Sequence, residues 1–97
     1  MATKKFSPRR NFNKTSTQKT STDKPIVYKL MNKEGDNIYT GTAKRGRGRE
    51  RLGEHLPGGQ DNVPGAKTFQ VKQKPSVAEA EKEEKQIIEK EKPKYNK

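Results

Sequence analysis

Ile26-Val27-Tyr28-Lys29-Leu30 and Ile38-Tyr39-Thr40-Gly41-Thr42 are the two runs on which the fold turns. Both concentrate β-branched and aromatic residues, which suit a pleated, half-buried surface. Asn32-Lys33-Glu34-Gly35-Asp36-Asn37 between them is a cluster of turn formers, so the pair reads as a β-hairpin. With an even loop and no bulge in either strand, period-two alternation places Tyr28 and Tyr39 on one face of the sheet. Two phenols then overlook one site.

Downstream, Lys44-Arg45-Gly46-Arg47-Gly48-Arg49 is a basic loop whose glycines keep the backbone adaptable. A short helical pattern follows from about Glu50 to Leu56 and is ended by Pro57-Gly58-Gly59. Leu52 and Leu56 repeat at i, i+4 and can dock on the sheet, and Arg51 and His55 repeat at the same spacing along the edge of that buried stripe. Residues 66 to 73 alternate around Phe69 and Val71 and read as a third strand. After Pro75, Ser76 and Glu79 form a capping box, and a helix runs with Val77, Ala80, Ile87 and Ile88 as its apolar stripe up to the break before Pro93. The expected order is ββαβα, an α/β fold of the α+β kind, with a small three-stranded sheet flanked by helices over residues 25 to 97.

Upstream, residues 1 to 24 are rich in Ser, Thr, Lys and Asn and show no apolar period, so they are expected to be a disordered basic arm. Such an arm either tethers phosphates or merely aids solubility. The chain has 97 residues, a formal charge of +11 and only 25% hydrophobic residues, which allows one domain with a small core and favours polyanionic partners. Without cysteine, disulfide staples, thiolate metal sites and thiol nucleophiles are excluded. The N-terminus lacks the apolar segment of a secretory signal, and no stretch is long enough to span a bilayer. A soluble, intracellular protein is expected, cytoplasmic or nucleoid-associated, with no membrane partner.

The last predicted helix carries an anomaly. At about 100° per residue, Glu84 projects near the middle of the stripe made by Val77, Ala80, Ile87 and Ile88. An unpaired buried carboxylate is costly, so Glu84 calls for a basic side chain or a bound cation, with Glu81 beside the stripe as the rival for that role. Two tyrosines, an arginine, a histidine and a glutamate thus point inward without being apolar. That set suits phosphodiester hydrolysis: a carboxylate can hold one Mg²⁺, a guanidinium can fork onto phosphate oxygens, and a phenol or imidazole can orient or deprotonate the attacking water.

Ile26-Val27-Tyr28 followed by Tyr39-Thr40-Gly41 resembles the paired motif that names the GIY-YIG nucleases. Arg51-Leu52 with His55 resembles the arginine helix of that family, Ala80 with Glu84 the helix bearing its metal-binding glutamate, and Pro93-Lys94-Tyr95-Asn96 its closing segment. The likeness covers roughly residues 25 to 97. It departs from the pattern at Ile26-Val27, where Gly-Ile is usual, and at Thr40, where Ile or Val is usual. The segment between Gly41 and Arg51 is also longer and richer in Gly and Arg, which leaves Arg49 as the alternative to Arg51 for the phosphate.

The resemblance implies metal-dependent cleavage of DNA, with Mg²⁺ or Mn²⁺ as cofactor. It implies Tyr28 and Tyr39 around the nucleophilic water, Arg51 on the scissile phosphate, His55 in support, Glu84 on the metal and Asn96 steadying the site. Lys44, Arg45, Arg47 and Arg49 are expected to touch the nucleic-acid backbone, which supplies most sequence-independent affinity. The alternative is a noncatalytic DNA- or RNA-binding module that keeps the fold. Nothing in the chain encodes sequence-specific readout, so targeting by structure or by a protein partner both stay open.

Overall fold

The structure, a computed structural model, describes residues 6–20 and 23–96. In chain order its elements are β1 (Arg10–Asn11), α1 (Lys14–Gln18), β2 (Ile26–Met31), β3 (Asn37–Ala43), α2 (Gly48–Glu54), β4 (Thr68–Gln73) and α3 (Val77–Glu91). The class is α+β, as expected. The sheet, however, has four strands in the order β1-β4-β2-β3, with every neighbouring pair antiparallel.

The additional strand comes from the segment expected to be a disordered arm. Arg10 and Asn11 pair with Phe69 and Thr68, and Ser7 N and Phe12 N extend the ladder by donating to Val71 O at 2.8 Å and Lys67 O at 2.9 Å. Phe12 meets the edge of the Phe69 ring, with centroids 5.8 Å apart. Asn13 then caps α1 by accepting from Ser16 N, and Thr17 is buried. β4 would otherwise present a row of unpaired backbone groups, and covering that edge is what orders these polar residues. The parts of the expected arm at residues 1–5 and 21–22 lie outside the described residues.

The hairpin forms from the two runs that suggested it, by a route that breaks both stated conditions. The connection covers residues 32 to 36, an odd number, and β3 bulges where the register shifts from Leu30↔Tyr39 to Met31↔Asn37. The extra residue at the bulge compensates for the odd loop. Tyr28 pairs with Gly41 and Leu30 with Tyr39, so both tyrosines do face the same way.

Each sheet face has its own cover. Ile26, Tyr28, Leu30 and Phe69 project toward Leu52 of α2 and Val63 of the loop after it, and together form the main core. On the opposite face Lys29 and Lys72 pair with Glu91 and Glu83 of α3, each at 3.0 Å, and α3 buries Ala80 and Ile87 as the stripe predicted. Ser76 caps α3 by accepting from Glu79 N, and Lys92 ends it in a left-handed conformation (φ 47°) just before Pro93. The open edge of β3 is closed by the C-terminal segment: Tyr95 N donates to Ile38 O at 2.9 Å, while Asn96 brackets Thr40. Among the described residues no helix is long and apolar enough to cross a membrane.

Candidate active site

Tyr28 stands mid-strand on β2 opposite Gly41, and that pairing explains the glycine. A β-carbon at position 41 would lie 2.6 Å from the Tyr28 hydroxyl and 3.0 Å from the Tyr39 ring, closer than side chains approach one another. Only a residue without a side chain lets the Tyr28 ring lie across β3. Its hydroxyl reaches His55 Nε2 at 2.7 Å, and His55 Nδ1 sits 2.8 Å from the Asp61 carbonyl. A carbonyl can only accept, so Nδ1 carries the proton, Nε2 is the acceptor and Tyr28 O–H is the donor. Burial holds the imidazole below its usual range, which keeps it neutral and preserves this direction.

His55 reaches this place because α2 ends there. It is the C-cap residue, and the following loop folds back so that Asp61 N donates to Glu54 O and Val63 N to His55 O. Gly59 in that loop packs so tightly that a β-carbon would collide with the Glu54 carbonyl.

The expected residues form two layers. Tyr28 and His55 have no exposed surface, so Tyr28, expected beside a nucleophilic water, lies in a sealed layer with His55. Tyr39, Arg51 and Glu84 are half-buried and reach solvent. The Tyr39 ring stacks at an angle over His55, with centroids 4.8 Å apart, and lies 6.3 Å from the Tyr28 ring. Burial raises the pKa of both phenols, so both remain protonated at neutral pH. Arg51, beside them, acts in the opposite direction. Its guanidinium pairs with Glu54 and lies 3.9 Å from the Asp61 carboxylate.

No family model, curated protein or solved structure matches this chain. The site is therefore read from its own geometry.

Glu83 and Glu84 show how one step along a helix separates a structural carboxylate from an available one. Glu83 accepts from Lys72 at 3.0 Å and Lys74 at 2.7 Å; burial alone would raise its pKa, but the two ammonium groups hold it below the usual range. Glu84, turned about 100° further around α3, forms no hydrogen bond or ion pair among the described residues. Its pKa is raised, first by burial and then by Glu81, with only partial relief from Arg51. Of the two kinds of partner expected for Glu84, a basic side chain is absent among the described residues, since Arg51 is engaged by Glu54. A half-buried carboxylate of this kind, open to solvent and short of positive charge, fits a hard divalent cation, and Mg²⁺ is commonly held by one or two carboxylates plus water and phosphate. No group of three or more carboxylate or imidazole ligands occurs among the described residues, so Glu84 would hold such an ion with substrate and water.

Arg49 and Arg51 point to different neighbours. Arg49 Nε donates to Thr20 O at 2.8 Å, turned toward the N-terminal segment, whereas Arg51 faces the phenols. Lys44 and Arg45 are exposed, and Arg47 pairs with Glu50 at 2.9 Å on the surface. A cleft of about 220 Å³ opens beside Arg51, bounded by Thr42 and Ala43 at the end of β3, Lys44 and Arg47 of the loop, and Val77 and Glu81 of α3. Asn96 acts on the backbone of β3. Its side chain accepts from Thr40 N at 2.7 Å and donates to Thr40 O at 3.0 Å, holding the strand that carries Tyr39.

Two participants escaped sequence reasoning. Glu54 was signalled only by its i, i+3 spacing from Arg51, which usually marks a surface pair. Asp61 acts on His55 through its backbone carbonyl, which no side-chain pattern reports.

Proposed function

We propose that this chain is a divalent-metal-dependent endonuclease acting on DNA, with a site of the GIY-YIG type. The observation that carries the reading is the convergence of a half-buried phenol, a guanidinium and a carboxylate unpartnered among the described residues over a sealed Tyr28–His55 pair. Arg51 receives the scissile phosphate, its fork offsetting the charge that builds on the oxygens as the attacking water adds. Glu84 would hold Mg²⁺ or Mn²⁺, which when bound would supply water activation and neutralisation of phosphate charge. Tyr39, protonated at neutral pH, orients the attacking water by hydrogen bonding and keeps its ring fixed against His55. Tyr28 and His55 are positioning residues, excluded from contact with substrate by their burial. Lys44, Arg45 and Arg47 neutralise backbone phosphates on the approach to the site, while Arg49 anchors the N-terminal segment. The resemblance of Tyr28, Tyr39-Thr40-Gly41, Arg51, His55 and Glu84 to the GIY-YIG motifs supports the same reading.

The test is incubation of supercoiled plasmid and branched oligonucleotides with purified protein in Mg²⁺, Mn²⁺ or EDTA. Strand cleavage that requires the metal is the expected result. Tight, salt-sensitive binding with no strand breakage under any condition would overturn it in favour of a noncatalytic nucleic-acid-binding module.

A further inference from the structure

The cleft beside Arg51 has a composition and size that suit one ligand class. Ala43 and Val77 contribute apolar surface to its lining, Lys44 and Arg47 cationic groups, and Glu81 a carboxylate acceptor. Apolar surface suits the face of a planar ring, the cations suit its phosphates, and a carboxylate accepts from the exocyclic amine of a base such as cytosine. The exposed pairing of Arg47 with Glu50 is weak enough to yield to a phosphate. At about 220 Å³ the cleft is smaller than the roughly 300–1,000 Å³ of sites that enclose drug-sized ligands, a size that suits a single base. Arg51 lines both this cleft and the phenol site, which makes the occupant the nucleotide next to the scissile phosphate.

We propose that this cleft receives one unpaired nucleotide, so that the preferred substrate is DNA with an unpaired base next to the cut, such as a flap, and not intact duplex. The proposal rests on the nuclease reading and names its substrate class. A base held in a duplex would first have to be unstacked and unpaired, at a cost that a flap avoids.

The test is fluorescence anisotropy in EDTA, comparing a labelled duplex with the same duplex carrying a single-cytosine flap. The full chain should bind the flap about tenfold or more tightly, a difference that a small part of the avoided unstacking cost would supply. Val77→Phe and, from a different element, Thr42→Leu fill the cleft, and circular dichroism checks that each folds. In a folded variant the affinity ratio should fall close to one. Equal affinities in the unmodified protein, or a preference that survives in both filled variants, would overturn the proposal while leaving the nuclease reading standing. Because no metal is present, the binding comparison stands apart from cleavage: failure to cleave plasmid and flap alike in Mg²⁺ or Mn²⁺ would overturn the nuclease reading and leave the cleft only as a site for an unpaired nucleotide. Absence of binding to either DNA would overturn both.

Discussion

Tyr28 donates into a neutral imidazole whose other nitrogen is fixed by the Asp61 carbonyl, and both side chains are sealed from water. Removing the hydroxyl in Tyr28→Phe leaves His55 Nε2 buried without a donor, at a cost of about 1–3 kcal/mol. Chemical denaturation should report that loss with little change in its slope. The same pair makes stability depend on pH. The folded protein holds His55 below its ordinary pKa of 6.5, so the unfolded chain binds that proton more readily. The stabilisation is fully present above pH 6.5 and is lost as pH falls through the lower, folded-state value. Thermal melts at about pH 7.5 and about pH 5.5 should show a drop in Tm that is smaller in His55→Gln, which can still bridge Tyr28 and the carbonyl without titrating. An identical drop in both proteins would remove His55 as its source.

β3 is the element on which the site depends, because it carries Tyr39 and Gly41 and lies at the edge of the sheet. Edge strands left open invite pairing with other chains, and here Asn96 occupies both backbone groups of Thr40. Asn96→Ala should cost about 1–3 kcal/mol through two lost hydrogen bonds. Hydrogen exchange at the Thr40 amide should accelerate beyond the global change; an amide that stays as protected as before would mean that Tyr95 alone closes the edge. The legibility of the elements follows the same physics. Ile26–Met31 and Asn37–Ala43 were readable from β-branched and aromatic density, and Val77–Glu91 from its cap and apolar stripe. β1 was not readable, because a two-residue strand has no period and owes its order to the open edge of β4. Glu84 was visible as a polar residue on an apolar stripe. The layering of Tyr28 beneath Tyr39 was not, since alternation assigns a face and says nothing of depth.

The whole molecule closes both sheet edges with its own termini, β1 on one side and the segment around Asn96 on the other. The N-terminal residues therefore do more than carry charge. Deleting residues 1 to 12 removes the β1 pairing and the Phe12 contact with Phe69, and exposes β4. Size-exclusion chromatography and melting should show a lower Tm and a tendency to self-associate. A monomer of unchanged Tm would reduce this segment to an electrostatic tether, measurable only as a flatter salt dependence of DNA binding.

The proposed cleavage of DNA by the folded chain depends on one carboxylate. Because Glu84 has its pKa raised by burial and by Glu81, its ionised form destabilises the native state, and Glu84→Gln should fold with a Tm at neutral pH equal to or above that of the unmodified protein. The decisive measurement is the single-turnover cleavage rate of DNA in Mg²⁺ by the two proteins at saturating concentration. The account predicts metal-dependent cleavage that falls by about 10²-fold or more in the variant, with DNA affinity little changed. Equal rates in the two proteins, or no cleavage by either while both fold and bind DNA, would contradict it.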